Sequence, residues 1–213
     1  MDLIYCAGGG KVLADIAIEE GFLYGARSDD AREFPRCNGL IDINWKNYDW
    51  GRHLETVEKH RPKYAVAPDI EKNDDLDKTL SLASSLEYLC DRVIIVPKNN
   101  NLLHHIPKKY VIGISVPTSY SGFIPNPDDL TGRDVHLLGG SPKQQKMLWM
   151  QYQSLKISVI SLDVNCHNKV SSFGKYWDGK RWFREGKYSL DKYDAFRRSC
   201  KGIKQMWTEL GAI

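Results

Sequence analysis

The chain has 213 residues, of which 42% are hydrophobic and 27% are charged, and its formal net charge is +3. These values are ordinary for a soluble globular protein, and the length suits one domain with a small appendage. The sequence contains no apolar segment long enough to cross a membrane, so we expect no membrane partner. MDLIYCAGGG lacks the features of a signal peptide, and five scattered cysteines favour a reduced cytoplasm (the host's, if the protein is viral) over a disulfide framework.

Short apolar runs alternate with helical patterns along most of the chain. Strands are predicted at Leu3–Cys6, Phe22–Tyr24, Leu40–Asn44, Tyr64–Ala67, Val93–Val96, Val111–Val116, Val135–Leu138 and Val159–Leu162. Helices are predicted at Val12–Glu20, Asp49–His60, Asp75–Cys90, Leu102–Ile106 and from Pro142 onwards. This alternation predicts an α/β fold with a parallel sheet. Eight strands fit a compact (β/α)₈ TIM-type barrel, and a doubly wound open parallel sheet is the alternative.

The segment from Asp134 to Cys166 is the clearest strand–turn–helix–strand unit. Two glycines end its first strand, Ser141 is a helix N-cap, and Pro142 suits the first helical position. The spacing of the helix's apolar residues predicts a face that lies on the sheet, formed by Met147, Leu148, Met150 and Leu155. Asp163 is predicted just past the end of the second strand. In parallel α/β proteins, active sites lie at the carboxyl ends of the strands. Asp163 is therefore the first candidate for a catalytic carboxylate.

After Asn168 the sequence becomes basic and aromatic, which divides the chain into a barrel domain, residues 1–168, and an extension, residues 169–213. A hairpin is predicted at Trp177–Trp182, with Asp-Gly in its turn. A terminal helix is predicted at Tyr193–Leu210, with its inward side chains being Phe196, Ile203, Met206 and Trp207. The extension is either a solvated face over core aromatics or a nucleic-acid contact, whose candidate residues are Lys175, Lys180, Arg181 and Arg184.

Polar residues and glycines recur where the predicted strands end. They are Asp42 and Asn44 after the third strand, Asp69 after the fourth, Lys98 after the fifth, Ser115 in the sixth, Gly139 and Gly140 after the seventh, and Asp163 and Asn165 after the eighth. In a closed barrel these positions ring one mouth. Three carboxylates there suit chemistry at a sugar carbon, where one attacks or stabilises positive charge and another moves a proton. The alternative is that each aspartate caps the following helix.

Four smaller features carry more modest interpretations. Lys98 either contacts a phosphate or, by slight preference, pairs with an aspartate. His136 is interpreted as a packed core histidine, and His167 as a surface group. The glycine run at residues 8–10 could bind a phosphate at the start of the following helix, but no phosphate-binding motif follows it. It is therefore interpreted as a plain turn.

Four motifs together resemble the tRNA-guanine transglycosylase superfamily, and most closely its phage and bacterial deazaguanine DNA transglycosylases (DpdA-type). The motifs are Asp42 after LI, Pro68-Asp69 after YAVA, VHLLGG at residues 135–140 and SLDVN at residues 161–165. The resemblance extends from about Leu3 to Trp177. It implies exchange of guanine in a polynucleotide for a 7-deazaguanine base such as preQ0. DNA is the expected polymer, RNA is the alternative, and a homodimer is allowed.

The resemblance also implies residue roles. Asp163 would be the nucleophile that holds the sugar covalently, and Asp42 the acid and base that serves the departing and incoming bases. Asp69 would accept hydrogen bonds from the guanine-type edge, and Gly113 and Ser115 would offer backbone groups to the base. An N-glycosidase that hydrolyses the adduct, or a non-catalytic nucleic-acid-binding member of a modification complex, are the alternative functions.

The chain departs from the family's pattern at two places. Ile43 and Trp45 stand where the family has glycines beside its aspartate, so Asn44 is a candidate to share the role of Asp42. The cysteines nearest the nucleophile position, Cys166 and Cys200, lack the paired spacing of a zinc cage. We therefore expect no metal and no other cofactor.

Overall fold

A computed structural model describes residues 1–7, 10–30, 37–44, 46–117, 123–185 and 190–213. Eight parallel strands pair with their neighbours in sequence order and close into a barrel, with β8 beside β1. They are β1 Asp2–Cys6, β2 Leu23–Arg27, β3 Leu40–Asp42, β4 Tyr64–Val66, β5 Arg92–Ile95, β6 Val111–Ser115, β7 Asp134–Leu138 and β8 Ser158–Val164. The (β/α)₈ barrel is therefore confirmed, and the alternative, the open sheet, is wrong.

Helices of very different lengths join these strands or follow β8. They are α1 Lys11–Glu19, α2 Trp50–His60, α3 Leu76–Leu86, α4 Pro142–Ser154, α5 Cys166–Ser171 and α6 Lys192–Glu209. Short 3₁₀ helices lie at Asn73–Asp75, Asn100–His105 and Pro127–Leu130. In the described parts of the β5–β6 and β6–β7 connections, a 3₁₀ turn stands in place of an α-helix. These short connections let a chain of this length complete eight strands.

Two of the predicted helix starts, at Asp49 and Ser141, are confirmed by capping hydrogen bonds. The Asp49 carboxylate accepts from the backbone N–H of Arg52 at 3.1 Å and begins α2. Ser141 and Gln144 form a reciprocal capping box at the start of α4, with Pro142 in the first turn. Such caps satisfy backbone N–H groups that have no partner inside the helix.

The core has two layers, one inside the barrel and one between the strands and the helices. The interior is filled mainly by apolar side chains that alternate along the strands, which are Ile4, Cys6, Leu40, Tyr64, Val66, Ile94, Val96 and Val111. The outer layer is larger and includes the apolar faces of α1 and α6. The interior packing supports the strand ends on which the polar residues sit.

The predicted apolar face of α4 is wrong in part. Leu148 is buried, but Met147, Met150 and Leu155 are 64%, 51% and 48% exposed. The buried face is instead formed by Pro142, Gln145, Leu148 and Tyr152. Gln145 lies inward because its Nε2 donates to the backbone oxygens of Gly139 and Asp163, each at 2.7 Å. A polar residue thus occupies a core position, and two methionines of α4 face outward.

Two further expectations near the end of β8 are corrected. Asp163 lies within β8, which continues to Val164. His167 is fully buried and stacks on Phe196 with ring centroids 4.6 Å apart, so its interpretation as a surface group is wrong. The inward face of α5 lies against α6, and this contact encloses the imidazole.

The C-terminal elements follow the sequence prediction. The strands β9 Tyr176–Trp177 and β10 Trp182–Phe183 pair antiparallel as a hairpin, and α6 packs against α1 and α5. The four predicted inward residues of α6 are all buried. The division of the chain at residue 168 stays a prediction. In the described part of the chain, no helix is long and apolar enough to cross a membrane.

Candidate active site

The carboxyl ends of the eight parallel strands meet at one end of the barrel, which we call the mouth. Asp42 ends β3, Asp163 lies near the end of β8, and Asp69 follows β4. Burial raises the pKa of Asp42, and the Asp163 and Asp69 carboxylates raise it further through space. The structure therefore brings three carboxylates that are distant in sequence into electrostatic reach of one another.

Asp163 is held firmly from one side. It is 6% exposed, and its Oδ1 lies 3.0 Å from the donating N–H of Gly139 and 3.3 Å from Nε2 of His136. Among the described residues, none donates a hydrogen bond to Oδ2. The two contacts fix the carboxylate in one orientation, with Oδ2 as the oxygen available to a reacting group.

Asp42 is the carboxyl whose protonation is most altered by its surroundings. Burial and the nearby Asp163 raise the pKa of Asp42 from 3.8 to about 7, against the opposing effects of the Ile43 N–H and of Arg27. The Ile43 N–H donates to Asp42 Oδ1 at 2.8 Å. A carboxyl that gains and loses its proton near neutral pH is suited to general acid–base catalysis.

Asp69 forms the third part of the mouth with Lys98 and Ser115. Lys98 Nζ lies 3.0 Å from Asp69 Oδ2 and donates to Ser115 Oγ at 3.0 Å. Burial raises the pKa of Asp69, and Lys98 lowers it in part. Of the two interpretations of Lys98, the pair with an aspartate is the one observed. Asp69 is thereby oriented as a hydrogen-bond acceptor.

The turn after β7 places a backbone donor against Asp163. Gly139 and Gly140 both have positive φ, at 62° and 82°. A Cβ at Gly140 would lie 2.5 Å from Val116 Cγ1, whereas a Cβ at Gly139 would meet no atom of the described residues within 4 Å. Both positions therefore favour glycine through φ, and Gly140 is also required by close packing.

This difference predicts unequal costs for two otherwise identical substitutions. Gly139→Ala should destabilise the protein by about 1 kcal/mol through its left-handed backbone alone. Gly140→Ala should cost about 2–4 kcal/mol, because overpacking against Val116 adds to the same backbone strain. Urea denaturation of the two proteins measures the difference. Equal losses of free energy would contradict the contact with Val116.

The remaining predicted site residues lie in different surroundings. Asn44 donates through Nδ2 to Asp29 Oδ2 at 3.0 Å, so its amide is already engaged. The space above Gly113 is filled by Ile94, Val96 and Leu138, each with an atom within 3.0 Å of a Cβ built there. Asn165 is exposed at the start of α5. None of the three contacts Asp163 in the described structure.

Two residues beside the carboxylates, His136 and Cys6, were not among the predicted site residues. His136 is buried as predicted, but its Nδ1 lies 2.7 Å from Ser161 Oγ while its Nε2 faces Asp163. Cys6 ends β1, where burial and the carboxylates of Asp163 and Asp42 raise the pKa of its thiol. The sequence did contain a signal for this role of His136. Ser161 and Asp163 alternate on one face of β8, and β8 pairs with β7, which carries His136.

The four predicted nucleic-acid contacts are all exposed, but they fall into two sets. Lys180 and Arg181 line a cavity of about 550 Å³ between α4 and the hairpin. Lys175 and Arg184 line a separate cavity of about 350 Å³, and the two share no lining residue. All five cysteines are free thiols. Within the described ranges, no three His, Cys, Asp or Glu side chains are grouped so as to hold a metal ion.

Residues 17–208 match a sequence family described as "Family of unknown function (DUF6610)". No curated protein matches the sequence. Among solved structures, N-(5'-phosphoribosyl)anthranilate isomerase from Pyrococcus furiosus is similar, with 10% identity and a TM-score of 0.41 over 96% of this chain and 99% of that chain. A likeness of this degree carries no argument about activity.

Proposed function

We propose that this chain, which belongs to the DUF6610 family of unknown function, is an enzyme that exchanges guanine in a polynucleotide for a 7-deazaguanine base such as preQ0. One observation carries the proposal. Asp42, with a pKa of about 7, lies within electrostatic reach of Asp163, a carboxylate fixed by two contacts. A proton-carrying carboxyl beside an oriented carboxylate is the pair that double displacement at a sugar carbon requires.

The first half of the reaction breaks the bond between the base and the sugar. Asp163 Oδ2 attacks the anomeric carbon while the carbon–nitrogen bond to guanine breaks, and the proton of Asp42 passes to the departing guanine. The products are an ester between Asp163 and the sugar, free guanine and an ionised Asp42. A covalent ester keeps the sugar in place while one base leaves and another enters.

The second half reverses these roles. Ionised Asp42 takes the ring N–H proton of the incoming base, whose nitrogen attacks the anomeric carbon as the ester bond breaks. Asp163 returns to its carboxylate form, and Asp42 is protonated again. Because each half inverts the anomeric carbon, the net outcome is retention of configuration.

Base selection is assigned to Asp69. Its carboxylate is largely buried and is oriented by Lys98, so it suits the ring and exocyclic N–H groups of a guanine-type edge. A base without those donors would leave the carboxylate unpaired, and this penalty gives strong discrimination. Guanine and 7-deazaguanines share this edge, whereas adenine does not.

The proposal is tested by incubating the protein with guanine-containing DNA or RNA and either labelled guanine or preQ0. Incorporation of label into the polymer, dependent on the protein, is the expected result. Release of guanine without incorporation of label would show that the protein hydrolyses the base–sugar bond and is an N-glycosidase. Binding of the polymer without either reaction would favour the non-catalytic alternative.

A further inference from the structure

A groove lies between α4 and the β9–β10 hairpin, with a volume of about 550 Å³. Among the residues that the structure describes, its lining includes four cationic side chains and no carboxylate. The four are Lys143 and Lys146 from α4 and Lys180 and Arg181 from the hairpin. Met147, Met150 and Trp182 provide apolar surface between them. We refer to this feature as the α4–hairpin groove.

The α4 side of the groove is built in a way that helix stability does not explain. Lys143, Lys146, Met147 and Met150 are spaced to share one face of the helix, and this is the outward face. Lys143 lies in the first turn of the helix, where positive charge opposes the helix dipole, and Lys146 lies in the next turn. Among the described residues, no carboxylate forms an ion pair with either lysine. Both side chains are therefore available to pair with an anion in the groove.

On the hairpin side, the two cationic residues Lys180 and Arg181 lie in the turn between β9 and β10. Asp178 Oδ1 accepts from the backbone N–H groups of Lys180 and Arg181 at 2.9 and 2.8 Å, which holds the turn. The Arg181 side chain is 76% exposed, and its nearest carboxylate oxygen, on Asp178, is 4.0 Å away. Trp182 packs edge-on against the buried Trp177, with centroids 5.4 Å apart. The turn thus fixes the backbone positions from which the two cationic side chains extend.

We propose that the α4–hairpin groove binds a single strand of nucleic acid, the continuation of the strand whose base enters the mouth. This inference rests on the proposed function. Four cations beside apolar and aromatic surface match the regular charge and exposed base faces of a single strand. A duplex presents phosphates but keeps its base faces stacked inside, so it would leave the methionines and Trp182 without a partner.

The position of the groove supports the same strand path. Ser141 lines the groove and lies two residues from Gly139, whose N–H bonds Asp163. One end of the groove is therefore adjacent in sequence and structure to the catalytic turn. Lys175 and Arg184 line the separate cavity, so the strand path uses only two of the four basic residues that the sequence singled out.

The test is binding of a fluorescent 12-nucleotide DNA, single-stranded or as a duplex, to the full-length Asp163→Asn protein, in which no exchange chemistry occurs. Adding Lys143→Gln and Lys146→Gln should weaken single-strand binding about tenfold at low salt. The slope of log affinity against log salt should fall by about 1.4, since each single-strand phosphate contact contributes about 0.7. Removing the two lysines should leave the thermal midpoint unchanged or higher.

The matched control removes two exposed lysines outside both cavities, Lys108→Gln with Lys156→Gln, and should bind as tightly as the parent. Equal affinity in the groove and control variants, or tighter binding of the duplex, would overturn the proposal. Its failure is separable from that of the exchange reaction. If the groove substitutions, made in a protein that keeps Asp163, leave the exchange rate unchanged, only the proposal about the groove is refuted. If single-strand binding depends on the groove lysines but the protein exchanges no base, only the proposed transglycosylase activity is refuted.

Discussion

Asp163→Asn should abolish guanine exchange, with a loss of about 10⁴-fold or more, while the protein stays folded. Asparagine keeps an oxygen for the N–H of Gly139 and for His136, but its amide cannot form an ester with the sugar. The measurements are incorporation of labelled guanine and trapping of a protein–polynucleotide adduct on a denaturing gel without incoming base. The adduct should form with the wild-type protein and be missing in Asp163→Asn.

Asparagine is preferred to alanine at this position for a physical reason. Asp163→Ala would leave the Gly139 N–H and the His136 imidazole without an acceptor, and each unsatisfied buried group costs about 1–3 kcal/mol. A loss of activity would then be confused with a loss of structure. Asp74→Asn, the same change in the exposed 3₁₀ turn Asn73–Asp75, is the control and should be fully active. An adduct that persists in Asp163→Asn would show that another residue attacks the sugar.

The barrel was predictable because its signals are local. Apolar runs of strand length alternate with capped helices, and the Asp49 and Ser141 caps stand where the sequence placed them. The grouping of Asp42, Asp69 and Asp163 followed from one topological fact, that parallel strands in a closed barrel end at the same mouth. That inference needed no distances, only the order of the strands.

What the sequence did not reveal depends on contacts between distant residues. The burial of Gln145 and the outward position of Met147 are decided by carbonyl groups of Gly139 and Asp163, which no helical pattern encodes. Because Gln145 takes the inward position, Met147 and Met150 face outward and line the α4 side of the groove. The near-neutral pKa of Asp42 likewise arises from burial and from Asp163 across the mouth. Periodicity reports which face of a helix is usually apolar, and a buried hydrogen-bond network overrides it.

Asp42→Asn should lower guanine exchange by about 10²–10⁴-fold, the range expected when a general acid is removed. Wild-type activity should fall as the pH rises through about 7, because Asp42 must carry a proton to serve the departing base. A substrate containing N7-methylguanine tests this role, since that base departs without being protonated. Release of N7-methylguanine should be largely restored in Asp42→Asn and stay absent in Asp163→Asn. No rescue in Asp42→Asn would contradict the role of Asp42 as the acid.

The same substitution should change how stability depends on pH. Asp42 has a pKa of about 7 when folded and an ordinary value of 3.8, so between these values the folded state holds the extra proton and wild-type stability decreases as pH rises. Asparagine removes this dependence. One pKa unit corresponds to about 1.4 kcal/mol, but Asp42 is partly exposed and solvent screens its charge. We therefore expect Asp42→Asn to gain about 2 kcal/mol relative to wild type between pH 4 and pH 8, measured by urea denaturation. A constant difference across that range would mean that Asp42 is ionised in the folded protein throughout, and it would remove the proton on which its catalytic role depends.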